Sequence, residues 1–358
     1  MAEAEFTPET SAMARMETFY FENVTEVFSI KMALKNMGFR KRSPFQLVEV
    51  METYQFGKTL VMDGQTQSAA ADEHVYHESL VHPAMLIANE PKSVFIGGGG
   101  EFASAREVLR HRSVERCVMV DLDKVACDVC REQLPEWNAY RPEWGVETKH
   151  RVTGEPLELD GTNGAFEDAR FEAYYEDAYA WLETNEDKFD VIIMDICDPI
   201  EAGPGYKLYT KEFYTFVQSR LNPGGVLVTQ SGPGSVYNVK SECFTVIHAT
   251  LKAAFDVVVP YSTDVPSFGC NWGFNLALNV TDAHACDGDA TKLAVSIRDK
   301  PVELVDEQIA ARMWGENRFL DGVAQRGIMG LPKSVREECA AETRVMTIDN
   351  PVFMYTGH

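Results

Sequence analysis

The chain has 358 residues, 45% of them hydrophobic and 25% charged, which describes an ordinary soluble globular protein with room for two cores, or for one large core with an appendage. Its net charge of −22 argues against a nucleic-acid partner, because phosphate binding needs a basic face, and is compatible with a cationic small molecule. No apolar run approaches the roughly 18 residues needed to span a bilayer, and the acidic residues 1–5 do not resemble a signal peptide.

The eight cysteines lack the spacing of a disulfide framework. Cys127 and Cys130 form a single C-x-x-C within a predicted helix, and no second pair follows downstream. We interpret them as buried structural thiols rather than zinc ligands, and we expect no metal site. This cysteine usage predicts a reducing, cytoplasmic compartment.

The first part of the chain is predicted to hold a flexible tail, at residues 1–18, followed by a small antiparallel β domain at residues 19–72. Residues 45–54 are rich in β-forming side chains and partly alternate, and residues 59–62 form a second apolar run. Turn-forming residues bound this second run on both sides, which is the pattern of a hairpin.

Strands and helices alternate after the β domain, which predicts an α/β catalytic domain at residues 73–358. The expected fold is Rossmann-like, of the methyltransferase type, with a mostly parallel sheet and helices on both faces. The stretch near residues 139–170 is polar and rich in glycine and acids, and we expect an inserted surface loop there. The predicted strands are residues 94–96, 117–120, 191–194 and 226–230, and the predicted helices begin near residues 73, 101, 124, 208 and 240.

A run of four glycines, residues 97–100, follows the first of these strands and leads into a helix through Glu101. Glycines let the backbone turn sharply and approach a ligand closely. In dinucleotide-binding folds the helix N-terminus receives a pyrophosphate, but Glu101 disfavours a phosphate there and favours a cation. The alternative is a glycine-rich turn that binds no ligand.

Asp121 ends the next predicted strand, 21 residues after Gly100 and near the offset of roughly 20 at which an acid reaches a ribose hydroxyl. Capping of the following helix is the alternative role, and Asp123 suits that role better. The glycine loop, Glu101 and Asp121 together predict a sulfonium nucleoside such as S-adenosylmethionine or a relative. Asp177 precedes another predicted helix and is either a contact for the adenine amino group or an N-cap.

Two carboxylates, Asp195 and Asp198, stand where the buried strand at residues 191–194 ends. Parallel strands present their carboxyl ends to the ligand crevice, so these acids are candidates for chemistry, although a polar turn is the alternative. An amine acceptor arrives protonated at pH 7, so one carboxylate can accept its proton and the other can anchor a further ammonium. Tyr76 and His77 offer a hydroxyl, an aromatic face and an imidazole to the same amine, unless they only begin a helix.

These motifs, in this order, resemble the aminopropyltransferase family of polyamine synthases from about residue 19 to the C-terminus. Within that family the chain is most similar to the thermospermine synthases, through residues 76–83, 198–211 and 228–233. The matching motifs are Asp63-Gly64-x-x-Gln67-Ser68, Asp72-Glu73-x-x-Tyr76-His77-Glu78, the glycine loop with Glu101 and Arg106-Glu107, Asp121-Leu122-Asp123, and Asp195-x-x-Asp198-Pro199.

The resemblance implies an enzyme that moves the aminopropyl group of decarboxylated S-adenosylmethionine, its co-substrate, to a polyamine. It implies no cofactor and an assembly as a homodimer or homotetramer. The implied catalytic residues are Asp195, Asp198 and Tyr76. The implied donor contacts are Gln46, Glu101, Asp121, Asp177, Ala178 and Pro204. The implied polyamine contacts are Tyr76, His77, Glu101, Asp198 and Gln230.

The resemblance also bears on the acceptor. Spermidine synthases usually carry a shorter segment after the second acid, which here is Asp198. They also carry a tyrosine in a Pro-x-Tyr-Pro-x-Gly stretch, and the corresponding residues 265–273 of this chain lack that tyrosine. This favours spermidine over putrescine as the acceptor, with thermospermine as the product. Spermine or spermidine synthesis is the nearest alternative, and methyl transfer from S-adenosylmethionine on the same fold is a more distant one. Two departures from the family pattern are Asp121, in place of a glutamate, and residues 102–103, in place of glycines.

Overall fold

The computed structural model describes residues 18–25, 28–199, 201, 204–236, 243–282, 284 and 286–354. They form two compact units, the first from the chain up to residue 73 with residues 267–269, and the second from residues 74–266 and the chain from residue 270 onward. All but the last residue of the predicted N-terminal tail lies outside the described residues. Within the described ranges, no helix has the length and apolar character needed to cross a membrane.

The described part of the first unit is built around an antiparallel sheet. Its strands are β1 (Phe19–Thr25), β2 (Phe28–Arg42), β3 (Leu47–Thr53), β4 (Gly57–Met62) and β5 (Gln65–Ala69), and they pair in chain order. Asp63 and Gly64 connect β4 to β5 with φ values of +47° and +82°, the left-handed conformations that suit a two-residue hairpin turn. The small antiparallel sheet of the fold prediction is confirmed.

The second unit contains a mostly parallel sheet. Among the described residues its strands are β6 (Ser93–Gly98), β7 (Arg116–Val120), β8 (Phe171–Tyr174), β9 (Phe189–Asp195), β10 (Leu221–Pro233), β11 (Val257–Val265) and β12 (Cys270–Leu278). They are ordered β11-β12-β10-β9-β6-β7-β8, and all neighbours are parallel except the two pairs that β12 makes. The central strands are apolar runs with fully buried residues such as Phe95 and Ile192, as expected of strands covered on both faces. The predicted Rossmann-like α/β class is confirmed.

Helices follow most of these strands and also form the C-terminal part of the chain. They are α1 (Glu73–Ile87), α2 (Ala103–Leu109), α3 (Lys124–Gln133), α4 (Pro135–Asn138), α5 (Ala178–Thr184), α6 (Lys211–Arg220), α7 (Cys243–Lys252), α8 (Ala290–Arg298), α9 (Val302–Arg312), α10 (Gly322–Ile328) and α11 (Lys333–Ala341). The helix expected near residue 208 begins at Lys211 instead, because Thr210 caps it by accepting the Phe213 amide. The expected start near residue 240 lies outside the described residues.

The segment at residues 139–170, where an inserted surface loop is predicted, belongs to the second unit and contains short 3-10 helices. Its 3-10 helices are Pro142–Trp144 and Ala165–Glu167. Asp168 is fully buried and accepts a hydrogen bond of 2.8 Å from the Tyr140 hydroxyl. Phe166 packs edge-on against Phe102, which follows the glycine loop, with the ring centroids 5.5 Å apart. The predicted surface loop thus has a buried polar contact of its own and packs the half-buried Phe166 against the residue that follows Glu101.

The C-x-x-C pair lies in α3, and both of its side chains, Cys127 and Cys130, are buried. Burial raises the pKa of both thiols, because a thiolate would lose its solvation there. The two thiols are therefore protonated and packed, which agrees with a structural role.

Candidate active site

The glycine loop lies against the carboxyl end of β9. Gly98 and Gly99 have φ values of +82° and +74°, a region that other residues rarely adopt. The Gly99 amide donates to the Asp195 carbonyl oxygen at 2.9 Å, and a Cβ atom on Gly98 would lie 2.1 Å from that oxygen. The loop therefore needs glycine to pack backbone against backbone. This packing brings the Glu101 and Asp195 side chains to within 4.8 Å of each other.

Both carboxylate oxygens of Asp195 accept hydrogen bonds from hydroxyl groups. Tyr76, on α1, donates to Oδ1 at 2.8 Å, and Ser104, on α2, donates to Oδ2 at 2.6 Å. Burial, together with the nearby Glu101 carboxylate, raises the pKa of Asp195 to about 6. The carboxylate is thus held in one orientation and has a proton affinity suited to a general base near neutral pH.

His77 and Glu101 form a second polar contact beside Asp195. His77 Nε2 lies 2.9 Å from Glu101 Oε1; the imidazole is buried and the glutamate side chain is 15% exposed. One side-chain N or O atom from each of His77, Glu101 and Asp195 lies within 4.8 Å of the other two. At this spacing two carboxylates and an imidazole can accommodate a cation, whether a metal ion or an organic ammonium or sulfonium group.

Asp198 follows β9 by three residues and is held by the side-chain amide of Gln230. Gln230 Nε2 donates to Asp198 Oδ1 at 3.0 Å and to the Ile196 carbonyl at 2.8 Å. Gln230 Oε1 accepts from the Trp272 indole at 3.1 Å and from the Gly232 amide at 2.9 Å. Because both ends of this amide are engaged, Gln230 acts here as a positioning residue for Asp198. Its direct contact with a polyamine stays a prediction.

Asp121 and Asp123 divide two roles at the end of β7. Asp123 caps α3 by accepting the amides of residues 125 and 126, as predicted. Asp121 accepts the Asp123 amide at 2.8 Å, and a Cβ atom on Gly100 would lie 2.8 Å from Asp121 Oδ2. Burial raises the pKa of Asp121 to about 6. Asp121 is therefore not needed as a cap, and it lies beside the glycine loop, where a ribose contact is predicted.

The remaining predicted donor contacts lie at three places. Asp177 has an exposed side chain and caps α5 by accepting the amides of residues 179 and 180, and Ala178, which is buried, begins that helix. Pro204 begins the 3-10 helix Pro204–Tyr209. Gln46 belongs to the first unit and directly precedes β3. In the structure, Asp177 thus acts as an N-cap. The binding of a nucleoside by Asp177, Ala178, Pro204 and Gln46 stays a prediction.

Two family domains cover most of the chain. Residues 73–285 match the spermine/spermidine synthase domain, and residues 18–69 match the spermidine synthase tetramerisation domain. The chain belongs to the spermine/spermidine synthase family. Decarboxylated S-adenosylmethionine is the co-substrate of that family, and the second match supports an oligomeric assembly.

Named relatives in the spermine/spermidine synthase family agree with this membership. A polyamine aminopropyltransferase of Aeropyrum pernix is 39% identical over 90% of this chain and 90% of its own length. Thermospermine synthase ACAULIS5 of Arabidopsis thaliana is 35% identical over 95% of this chain and 88% of its own length. The chain is therefore a polyamine aminopropyltransferase.

Solved structures share the fold. The crystal structure of a spermidine synthase in complex with the transition-state analogue AdoDATO is similar with a TM-score of 0.73. The similarity covers 95% of this chain and 99% of that chain, at 24% sequence identity. At that identity the likeness shows the shared fold alone.

Ser104 is a residue of this site that the sequence analysis missed. It lies in the first turn of α2, three residues after Glu101, and its side chain is fully buried. The available signal was a hydroxyl on a short helix of otherwise buried side chains, because a buried hydroxyl needs a hydrogen-bond partner. Its partner, Asp195, is 91 residues away in the chain, so only the sheet order brings the two together.

Glu78 was noted in the sequence only as part of a matching motif, and the structure gives it a structural role. Its carboxylate is buried and accepts the backbone amides of Arg318, Phe319 and Leu320, each at 2.8 Å. Three amide donors on one buried carboxylate fix the segment after α9 against α1, the helix that carries Tyr76.

Replacement of Glu78 by alanine is expected to lower Tm by roughly 5–10 °C, because three backbone amides lose their acceptor at a cost of about 1 kcal/mol each. Glu78→Gln should have an intermediate effect, since it keeps one acceptor oxygen. Thermal unfolding followed by circular dichroism measures the change. The exposed Glu132, on α3, offers a matched control, and Glu132→Ala should leave Tm almost unchanged. An equal Tm for Glu78→Ala and Glu132→Ala would contradict the structural role.

Proposed function

We propose that this protein transfers the aminopropyl group of decarboxylated S-adenosylmethionine to spermidine, giving thermospermine and methylthioadenosine. The observation that carries the proposal is the anionic cluster at the end of β9. There, Asp195 and Glu101 lie beside His77, with side-chain atoms within 4.8 Å of one another, and Asp198 follows three residues later. Both substrates are cations, and these carboxylates supply the complementary charge.

Asp195 is the proposed proton acceptor. The reacting amine of spermidine is an ammonium at pH 7 and has no lone pair until a proton leaves. Transfer of that proton to the Asp195 carboxylate frees the lone pair, and the nitrogen then attacks the aminopropyl carbon bonded to sulfur. The carbon–sulfur bond breaks with its electron pair moving to sulfur, so methylthioadenosine leaves as a neutral thioether. Asp195 later returns its proton to solvent.

Tyr76 and Ser104 are proposed to aim the Asp195 carboxylate at the amine. Burial raises the pKa of Tyr76, so its hydroxyl stays protonated and donates to Oδ1 at any pH of interest. Ser104 occupies Oδ2 in the same way. With one donor on each oxygen, the carboxylate is oriented before the substrate arrives, which lowers the entropic part of the barrier.

The Ser104→Ala variant is expected to shift the acidic limb of the pH profile of kcat/KM to higher pH. In the wild type, kcat/KM should rise with pH through a midpoint near 6, because Asp195 has a pKa of about 6 and accepts a proton only as the carboxylate. Loss of the Ser104 hydroxyl removes a hydrogen bond that stabilises the carboxylate, so the midpoint should rise by roughly 0.5–1 pH unit. Initial rates between pH 5 and 9 measure it.

The control for this serine variant is Ser113→Ala, which removes a hydroxyl that donates to the Pro91 carbonyl at 2.8 Å. Its pH profile should match that of the wild type. If Ser104→Ala lowers Tm but leaves the midpoint unchanged, Ser104 contributes packing alone.

The nucleoside is proposed to bind along the carboxyl ends of β6, β7 and β8. Asp121 is assigned to the ribose hydroxyls, and its place beside Gly100 supports this assignment, since Asp123 already caps α3. Asp177 and Ala178, at the start of α5, are assigned to the adenine. Gln46 and Pro204 complete the proposed donor contacts.

Spermidine is the proposed acceptor because of the residues that surround Asp198. Residues 265–273 lack the tyrosine that the resemblance associates with putrescine, and they carry Trp272, which donates to Gln230 at 3.1 Å. Gln230 in turn holds Asp198, which can anchor the distant ammonium of a longer polyamine. The 35% identity to Thermospermine synthase ACAULIS5 supports the same product.

The acceptor is tested with the purified protein, the decarboxylated donor and each of putrescine, spermidine and spermine. Products are separated by chromatography against thermospermine, spermine and spermidine standards. Thermospermine from spermidine is the expected product. Spermine or spermidine as the main product would contradict the proposed acceptor chemistry but not aminopropyl transfer. Methyl transfer from S-adenosylmethionine, without aminopropyl transfer, would overturn the proposal.

The assembly is proposed to be a homotetramer or homodimer, because residues 18–69 match a tetramerisation domain. Size-exclusion chromatography with light scattering counts the chains in the purified protein. A monomer at micromolar concentration would contradict this assignment.

A further inference from the structure

The C-terminal segment after α11, residues 342–354, is held to the rest of the second unit at Met346 and at its last described residues. Met346 is fully buried; its carbonyl accepts the Lys211 amide at 2.8 Å, and its amide donates to Thr250 Oγ1 at 2.9 Å. Chain termini are usually poorly ordered unless such contacts hold them. The segment is thus fixed to the first residues of α6 and to α7 before it reaches its last described residues.

The last described residues of this segment contact the loop that carries Asp198. The Met354 amide donates to the Pro199 carbonyl at 2.8 Å, and the Met354 side chain is buried in the main hydrophobic core. The Phe353 ring packs edge-on against Tyr206, with ring centroids 5.7 Å apart. In the sequence, these contacts lie on both sides of residues 200–203, which connect Pro199 to the 3-10 helix Pro204–Tyr209.

Met354 reaches Asp198 by two routes. The first runs through Pro199, the next residue in the chain. The second runs through Gly232: a Cβ atom there would lie 3.1 Å from the Met354 sulfur, and the Gly232 amide donates to Gln230, which donates to Asp198. A shift of Met354 therefore alters both the backbone next to Asp198 and the amide that holds its carboxylate.

We propose that Met354 is a positioning residue for Asp198 and, through it, for the polyamine acceptor. This inference rests on the proposed role of Asp198 as the ammonium anchor. The contacts of Met354 lie at Pro199 and Gly232, on the side of Asp198, whereas the contact of Phe353 lies at Tyr206, two residues after the proposed donor contact Pro204. Substitution of Met354 should therefore affect acceptor binding and leave donor binding unchanged.

The test is Met354→Pro in the full-length chain, which removes the amide that donates to Pro199. KM for spermidine should rise about tenfold, in keeping with a lost hydrogen bond and a less well-placed anchor. kcat and KM for the decarboxylated donor should stay within about twofold of the wild type. Met354→Ala keeps the amide and removes the buried side chain, and it provides a second measurement if the proline variant does not fold.

The matched control is Ile348→Pro, in the same segment. Ile348 is 44% exposed and occupies the second position of a turn closed by the Asn350 amide and the Thr347 carbonyl, where proline is favoured. This variant should keep both KM values. An equal rise of the spermidine and donor KM in the Met354 variants, or a lower Tm with both KM values unchanged, would mean that the segment only stabilises the fold, and either result overturns the inference.

Asp198→Asn, measured in parallel, separates this inference from the proposed function. If Asp198→Asn raises KM for spermidine and the Met354 variants do not, the anchor stands and the positioning role of the segment is overturned. If Asp198→Asn leaves that KM unchanged, the proposed anchor itself fails, and positioning through it fails as well. The double variant should show no larger KM than Asp198→Asn alone, because Met354 acts through Asp198.

Discussion

Replacement of Asp195 by asparagine is expected to lower kcat by about a thousandfold, the range that a positioned general base contributes. Asparagine has nearly the shape of aspartate and keeps a carbonyl oxygen for the Tyr76 hydroxyl, but its neutral amide does not accept a proton from an ammonium at pH 7. The bound spermidine would then stay protonated and lack the lone pair that attacks the donor. Steady-state rates with the decarboxylated donor and spermidine measure the loss.

The stability of Asp195→Asn should show that this loss is chemical. The folded-state pKa of Asp195 is raised to about 6, so its protonated form favours folding below the unfolded pKa, and this contribution is lost as the pH rises through 6. At pH 8 the wild type carries an unfavourably buried carboxylate that the variant lacks. Tm of Asp195→Asn at pH 8 should therefore equal or exceed that of the wild type.

Asp128→Asn is the matched control for this substitution. It removes one carboxylate from a surface ion pair with Lys124, at 2.6 Å, and should leave kcat within about twofold. Near-normal turnover by Asp195→Asn would sink the assignment of the base. A large loss in both variants would point to the net charge of the protein instead.

Local signals in the sequence were enough to predict where Asp195 and Asp123 lie relative to the strands and helices. The apolar run from Val191 to Met194 is a buried strand, and it ends at Asp195 as the run implied. Asp123 caps α3 because an acid at that spacing satisfies the first free amides of the helix. Such features depend on a few neighbouring residues, and the parallel class of the sheet follows from their repetition along the chain.

The partners of these acids depend on strand order and on contacts between distant segments, which periodicity does not encode. Tyr76 and Asp195 are 119 residues apart, and Ser104 meets the same carboxylate from a different helix. Gln230 was expected at the polyamine, and in the structure its side-chain amide has hydrogen-bond partners at five separate positions, Ile196, Asp198, Tyr209, Gly232 and Trp272. Capping explains Asp177 locally, so its sequence position alone does not distinguish a cap from a ligand contact.

Replacement of Glu101 by glutamine is expected to raise KM for the decarboxylated donor roughly 10- to 100-fold, the cost of losing a charge-assisted contact in a partly buried site. Glutamine can keep a hydrogen bond to His77, so the change removes mainly the negative charge. The same charge should repel the carboxylate of ordinary S-adenosylmethionine. The ratio of the inhibition constant of S-adenosylmethionine to the KM of the decarboxylated donor should therefore fall in Glu101→Gln.

The pH profile of Glu101→Gln provides an independent measure of the same charge. The Glu101 carboxylate helps to raise the pKa of Asp195, so its removal should move the midpoint of kcat/KM below about 6, opposite in sign to the change expected for Ser104→Ala. Glu115→Gln makes the same change of net charge at an exposed ion pair with Lys92 and should alter neither quantity. Equal effects of Glu101→Gln and Glu115→Gln would assign donor selection to the overall charge of the protein. An effect confined to Glu101→Gln would assign donor selection to the carboxylate beside Asp195.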